Sequence, residues 1–174
     1  MILWNPHHTL SDEGCGTFLI WYPVMMKIFK KRPDIVLIVR PHPLLNKNLR
    51  SMQEGNMSLQ EFMQFAESNN VIIDTSEEYL DAFCVSDALI SDESSLLLEY
   101  LPTQKHILFT PKAGRSLLNE DGEELVLHLY IGRTESDLCD FVAMSARNEY
   151  PCRKTGSRKL IFCCIMLMAK PVIE

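Results

Sequence analysis

The segment DIVLIVRP at residues 34–41 constrains the fold of this chain more than any other feature. Its apolar residues are consecutive and mostly β-branched, so a strand formed here must be buried on both faces. Strands of this kind occur in parallel sheets that helices cover on both sides. The segment therefore favours an α/β fold.

Similar short apolar runs alternate with helical patterns along the chain. We predict strands at residues 2–5, 34–41, 71–76, 88–91 and 106–110. We predict helices at residues 17–31, 58–68, 77–87, 94–101, 119–131 and 134–147. Parallel strands that are joined by helices require right-handed crossovers. The pattern thus predicts an α/β fold with a doubly wound parallel sheet and helices on both faces.

Local signals refine these predictions. Ser58 and Glu61 form a capping box, and Thr134 is the expected N-cap of the last helix. Pro23 predicts a kink or a late start of the first helix. Residues 42–57 are polar and rich in Asn, which predicts a loop.

Composition limits the class of protein. The 174 residues are 47% hydrophobic and 23% charged, which is typical of one globular domain. The net charge of -6 argues against a nucleic-acid partner, because a surplus of Lys and Arg is needed to neutralise a phosphate backbone.

Cysteines and apolar runs give no sign of secretion or metal binding. The six cysteines form no CxxC pair, so we expect no metal site and free thiols in a reducing compartment. No secretory signal is visible at the start. The apolar run at 160–169 is about half of the roughly 20 residues that a membrane span needs. We expect a cytoplasmic chain without a transmembrane segment, and leave association with a membrane surface open.

The ends of the predicted strands carry the candidate site. Ligands of parallel α/β sheets bind outside the carboxyl ends of the strands. The segments that follow the predicted strands are NPHH, RPHP, DTSEE, SDESS and TPKAGR.

In SDESS, Ser94 and Ser95 fall at the start of a predicted helix, where unpaired backbone N–H groups and the helix dipole attract an anion. The alternative is that Asp92 or Ser94 only caps this helix, and we favour it when the segment is taken alone.

The other segments add His, Arg and acidic side chains. In RPHP, prolines stiffen the backbone around Arg40 and His42, and His42 has the chemistry of an acid, a base or a phosphate ligand. A histidine satisfied by neighbouring backbone is an equally good interpretation. His7 and His8 point apart on an extended chain, so we expect at most one to face the site. Asp74, Thr75 and Ser76 precede a helix, where caps are more common than ligands.

These segments, in this order and spacing, resemble the C-terminal half of the CDP-glycerol glycerophosphotransferases, enzymes of teichoic-acid and capsule-type polymer synthesis. The resemblance covers residues 1–147 and rests on RPHP followed by the serines and aspartates of SDALISDESS. It implies the C-terminal half of a GT-B fold, with residues 1–147 as a Rossmann-like, nucleotide-diphosphate donor-binding domain and residues 148–174 as an atypical tail.

The resemblance also implies roles for single residues. Ser94 and Ser95 would bind the donor phosphates together with Asp92 and Arg40, and His42 would be the catalytic residue that stabilises the leaving group. His7, His8 and Thr9 would line the pocket, near Asp74 and Thr75. Glu93 stands where many relatives have Tyr or Gly. No cofactor is implied.

The expected reaction transfers phosphoglycerol from CDP-glycerol to a hydroxyl of a polymer or glycan acceptor. A nucleotide-sugar donor is the enzymatic alternative. The third interpretation is a nucleotide-binding module that lacks catalytic activity alone, because the N-terminal domain of the family has no counterpart in this sequence. In that case we expect a partner domain or a homo-oligomer to complete it.

Overall fold

A computed structural model describes residues 1–51, 64, 66–67 and 70–149. Every pair of neighbouring strands is parallel, and the strand order is β3-β2-β1-β4-β5-β6. This is the order of a dinucleotide-binding Rossmann sheet. The strands are β1 (Ile2–Asn5), β2 (Leu37–Val39), β3 (Val71–Ile73), β4 (Ala88–Ser91), β5 (His106–Phe109) and β6 (Tyr130–Ile131).

In the described part of the chain, six helices connect or follow these strands. They are α1 (Phe18–Lys30), α2 (Pro43–Ser51), α3 (Leu80–Val85), α4 (Leu96–Tyr100), α5 (Glu120–Val126) and α6 (Glu135–Arg147), and a 3₁₀ turn (Leu101–Thr103) extends α4.

The sheet is buried on both faces. Along β1, Ile2 and Trp4 belong to one apolar cluster with side chains of α1, α2 and α6, whereas Leu3 belongs to a second cluster with side chains of α3, α4 and α5. The same alternation holds along β2 and β4. Because successive strand residues point to opposite faces, two helix layers are required. The predicted doubly wound sheet is confirmed.

One prediction around the first helices is wrong, and one of the two alternatives given for Pro23, a late start, is excluded. Residues 43–51 of the expected loop form α2, because Pro43 suits the first helical position and Leu45 and Leu49, one turn apart, are buried. Helix α1 does not start late: it begins at Phe18, whose ring stacks on Trp4 with centroids 5.5 Å apart. Pro23 is therefore accommodated inside the helix.

Other boundaries also differ from the predictions. The helix predicted at 119–131 ends at Val126, and the chain then adds β6 at the edge of the sheet. The capping box of α6 is present: Thr134 Oγ1 accepts from Asp137 N, and the Asp137 carboxylate accepts from Thr134 N. The capping box predicted at Ser58 and Glu61 lies outside the described residues, as does the tail from residue 150. No described helix is both long and apolar enough to cross a membrane.

The topology creates one switch point. Strand β1 pairs with β2 on one side and with β4 on the other, so the connections after β1 and β4 leave the sheet in opposite directions. Such a reversal opens a crevice at the carboxyl ends of the two strands. In this chain the crevice lies between the segments that follow Asn5 and Ser91.

Candidate functional site

Hydrogen bonds tie the carboxyl ends of three strands together beneath this crevice. Asn5 Nδ2 donates to the carbonyl oxygen of Arg40 at 2.9 Å, which joins β1 to the end of β2. Ser91 Oγ donates to the carbonyl oxygen of Asn5 at 2.9 Å, which joins β4 to β1. These two hydrogen bonds hold the ends of β1, β2 and β4 at fixed separations. The residues that follow these three strands therefore form a rigid site.

Three histidines meet at this point. The ring centroids of His7 and His8 are 4.1 Å apart, those of His8 and His42 are 4.5 Å apart, and those of His7 and His42 are 6.2 Å apart. The prediction that His7 and His8 point apart is wrong, because β1 ends at Asn5 and the strand alternation does not extend to these residues. The histidine cluster of His7, His8 and His42 thus joins NPHH and RPHP.

Two rings of this cluster, those of His7 and His42, have a lowered pKa. Burial, followed by the charges of His8 and His42, lowers the pKa of His7 to about 4. Burial, followed by the charge of His8, lowers the pKa of His42 below its usual range. At neutral pH both rings are therefore uncharged and present one N–H donor each.

Ser94 and Ser95 lie on the rim between two clefts. The larger cleft, of about 640 Å³, is lined by His7, both serines and residues of α5. The smaller, of about 480 Å³, is lined by the serines and by Arg40, His42 and Asp74. Helix α4 begins only at Leu96 and has five residues, so its dipole is smaller than the prediction assumed. Ser94 Oγ accepts from Leu96 N at 3.3 Å, and Ser95 is exposed and makes no side-chain cap bond.

Asp92 is buried and hydrogen-bonded to protein groups. Its side chain is 1% exposed, and Oδ1 accepts from His7 N at 2.8 Å. Its Oδ2 accepts from Thr17 N at 2.8 Å and from Thr17 Oγ1 at 3.0 Å. Burial raises the pKa of Asp92 to about 6. With both oxygens occupied and hidden, Asp92 holds the β1–α1 loop in place, and the geometry opposes the predicted contact with a donor phosphate.

The Arg40 side chain is likewise bound to protein groups. Its guanidinium forms an ion pair with Asp74 and donates to Ser76 Oγ at 3.0 Å and to the Ser76 carbonyl oxygen at 2.8 Å. Partial burial acts to raise the pKa of Asp74. The two hydrogen bonds that Ser76 donates, together with the Arg40 guanidinium, outweigh this effect and lower the pKa below its usual range. Arg40 therefore fixes the β3–α3 loop, and Thr75 lies on the wall of the smaller cleft.

The sequence predictions included His7, His8 and Thr9 of the β1–α1 loop but missed residues 14–16 of the same loop as part of the site. Gly14 and Gly16 pack against Thr9 so closely that a Cβ on Gly16 would lie 2.1 Å from the Thr9 carbonyl oxygen. Between them, Cys15 is buried, lines the larger cleft and places Sγ 3.6 Å from His7 Nδ1. The signal was the GCGT segment just before α1, because paired glycines permit close approach of backbone.

Glu93 is a second residue whose position was not expected. Its Oε2 accepts from Leu117 N at 2.7 Å, and its Oε1 is buried without a hydrogen-bond partner among the described residues. The side chain thereby links β4 to the loop that precedes α5. Glu93 also lines the larger cleft.

In the described part of the chain, no group of three or more His, Cys, Asp and Glu side chains is arranged to hold a metal ion. The thiols of Cys15, Cys84 and Cys139 are free. Burial, with the nearby carboxylates of Glu93 and Asp92, raises the pKa of Cys15, so the thiol stays protonated.

The parallel six-stranded sheet and the crevice at its switch point define a Rossmann-like α/β domain. The sequence allows a more specific assignment than the fold. The family model of the CDP-glycerol:poly(glycerophosphate) glycerophosphotransferases matches residues 23–112. The chain belongs to this family, as its RPHP and SDESS segments predicted.

A solved structure is similar at a greater distance. The crystal structure of MurG from Acinetobacter baumannii has a TM-score of 0.44 and 11% sequence identity, over 95% of this chain and 49% of that chain. The chain thus spans about half the length of that protein. No curated protein matches the sequence.

Proposed function

We propose that this chain binds the CDP-glycerol donor of a glycerophosphotransferase that transfers phosphoglycerol to a hydroxyl of a polymer or glycan. The observation that carries the proposal is that the family match includes both segments that meet at the crevice, RPHP with His42 and SDESS with Ser94 and Ser95. Hydrogen-bond donors at a switch point are a general arrangement for nucleotide diphosphates.

The proposed reaction is a phosphoryl transfer. The oxygen of the acceptor hydroxyl bonds to the phosphorus that carries glycerol, the bond from that phosphorus to the bridging oxygen breaks, and CMP leaves with the electron pair. A base takes the hydroxyl proton. Catalysis of this kind depends on positioning and on stabilising charge at the phosphate oxygens.

Each residue of the crevice has a place in this proposal. The hydroxyls of Ser94 and Ser95 donate to phosphate oxygens, and the His42 N–H stabilises the charge on the leaving CMP. Asp92 and Arg40 act indirectly and do not contact the donor. The hydrogen bond between Asp92 and Thr17 and the one between Arg40 and Ser76 hold the loops that shape the clefts. This division is supported by the low exposure of Asp92 and by the ion pair of Arg40 with Asp74.

Titration calorimetry with CDP-glycerol, CMP and a UDP-sugar tests the proposal. Loss of a hydrogen bond to a charged group is worth about 1.5–3 kcal/mol, or roughly 10- to 150-fold in affinity. We expect losses of this size for Ser94→Ala with Ser95→Ala, and for His42→Ala. Ser136→Ala removes an exposed hydroxyl from α6 and is the matched control, which should bind like the wild type.

The alternatives give different outcomes. Tighter binding of the UDP-sugar than of CDP-glycerol would reassign the domain to glycosyl transfer. Binding without turnover, even with an acceptor present, would favour a nucleotide-binding module that needs a partner domain. Absence of binding by all three nucleotides would contradict donor binding by this chain.

A further inference from the structure

The hydrogen bonds around His7 determine where its proton lies. Thr9 N donates to His7 Nδ1 at 3.3 Å, and Thr9 Oγ1 lies 3.0 Å from the same nitrogen. A backbone N–H can only donate, so Nδ1 must carry a lone pair and the proton of the neutral ring must be on Nε2.

The Thr9 hydroxyl is oriented by a second backbone group. Gly16 N donates to Thr9 Oγ1 at 2.8 Å, so the hydroxyl hydrogen is free to point at His7 Nδ1. The protonated Cys15 thiol, 3.6 Å from the same nitrogen, is a further weak donor. Three donors thus converge on Nδ1.

His42 repeats this arrangement. Leu44 N donates to His42 Nδ1 at 3.1 Å, again from the residue two positions further along the chain. Both rings therefore keep their protons on Nε2. The two N–H groups come from different strand ends and flank the same pair of serines, since His7 and His42 each line a cleft with Ser94 and Ser95.

We propose that His7 donates a hydrogen bond from Nε2 to an anionic phosphate oxygen in the larger cleft, and that Thr9 is the positioning residue that keeps the proton on that nitrogen. Among the described residues, the hydrogen bonds of His7 use its backbone N–H and Nδ1 and leave Nε2 to a ligand of the larger cleft, which His7 lines. The identity of the ligand as a nucleotide diphosphate rests on the proposed function. The donor chemistry requires only a phosphate group.

This assignment excludes one role for His7. A ring with its proton on Nε2 has no lone pair there, so it cannot take a proton from an acceptor hydroxyl in the cleft. The groups around it are His8, His42, Cys15, Glu93 and Asp92, and the first two disfavour a positive charge on the ring.

Nuclear magnetic resonance of protein labelled with ¹⁵N-histidine tests the tautomer in the absence of ligand. We expect His7 to show a protonated Nε2 and an unprotonated Nδ1 at neutral pH. Thr9→Ser keeps the hydroxyl and should keep this signature. Thr9→Val leaves only the backbone N–H and the Cys15 thiol as donors to Nδ1, so the share of the tautomer with its proton on Nδ1 should increase. A protonated Nδ1 in the wild type would overturn the proposal.

Titration with inorganic pyrophosphate and with CDP-glycerol tests the contact. Replacing His7 with Phe keeps the ring but removes the donor, and should weaken binding of both ligands roughly 10- to 150-fold. His7→Gln retains an N–H donor and should recover most of the loss. His128→Phe is the control, because His128 lies outside both clefts.

These two ligands separate the two proposals. Binding of pyrophosphate that depends on His7, without binding of CDP-glycerol, would support the His7 contact and contradict the proposed function. Binding of CDP-glycerol that is unchanged in His7→Phe would support the proposed function and contradict the His7 contact. Absence of binding by both ligands would overturn both. If His7→Phe does not fold, Thr9→Val against Thr9→Ser supplies the same comparison.

Discussion

Replacing Asp92 with Asn should change how the stability of this domain depends on pH. Between the unfolded pKa of 3.8 and the folded pKa of about 6, the folded protein holds a proton on Asp92 that the unfolded chain has released. The free energy of unfolding contributed by this group therefore falls as pH rises through that interval. In Asp92→Asn this contribution is absent.

The size of the effect follows from the burial of the side chain. A difference of about 2 pKa units corresponds to about 3 kcal/mol at 1.36 kcal/mol per unit, and the buried position leaves little solvent screening. Asn also has a single acceptor oxygen. If that oxygen serves Thr17, the His7 backbone N–H loses its partner, which costs about 1–3 kcal/mol at every pH.

His7 contributes with the opposite sign. Its pKa is lowered from 6.5 to about 4, so the unfolded chain binds the extra proton and stability rises with pH across that interval. The half-exposed ring makes this contribution smaller than the pKa difference alone implies. In the wild type the two contributions oppose each other, and Asp92→Asn should expose the rise due to His7.

Urea unfolding at pH values from 4 to 7 measures how the free energy of unfolding of each variant depends on pH. The difference in unfolding free energy between the wild type and Asp92→Asn should change by about 3 kcal/mol over the range, with the variant gaining relative stability as pH rises. Asp140→Asn, at an exposed carboxylate, should parallel the wild type. Parallel profiles for the wild type and Asp92→Asn would refute the assignment of a raised pKa to the buried carboxyl.

Three further substitutions test close packing and helix capping in this domain. Gly16→Ala places a Cβ 2.1 Å from the Thr9 carbonyl oxygen, so the loop must shift. Thermal unfolding should show that the free energy of unfolding falls by about 1–3 kcal/mol. An unchanged melting temperature would contradict the close approach. Thr134→Ala removes the cap of α6 and should cost about 1 kcal/mol by urea unfolding, with Thr134→Ser close to the wild type. Phe141→Ala truncates a fully buried ring and should cost about 3–5 kcal/mol in the same assay, and a cost near that of an exposed site would show that this helix face is not packed on the sheet.

The local pattern of the sequence was sufficient for the main layers of the fold. Strands such as β2 and β4 are buried on both faces, so their apolar residues are contiguous and the pattern is visible without any knowledge of the partners. Elements whose stability comes from distant contacts were not predictable in this way. Helix α2 depends on the burial of Leu45 and Leu49 in a polar segment, and β6 depends on pairing with β5.

The same distinction holds at the site. The sequence by itself determined that His42, Ser94 and Ser95 follow strands, and hence that they lie at one edge of a parallel sheet. Only the tertiary structure decided that His7 and His8 pack together with His42, and that Asp92 and Arg40 are occupied by protein groups. The physical reason is that hydrogen bonds between loops join residues far apart in the chain. The Thr17 hydroxyl, 75 positions from Asp92, leaves no signal in the local sequence around either residue.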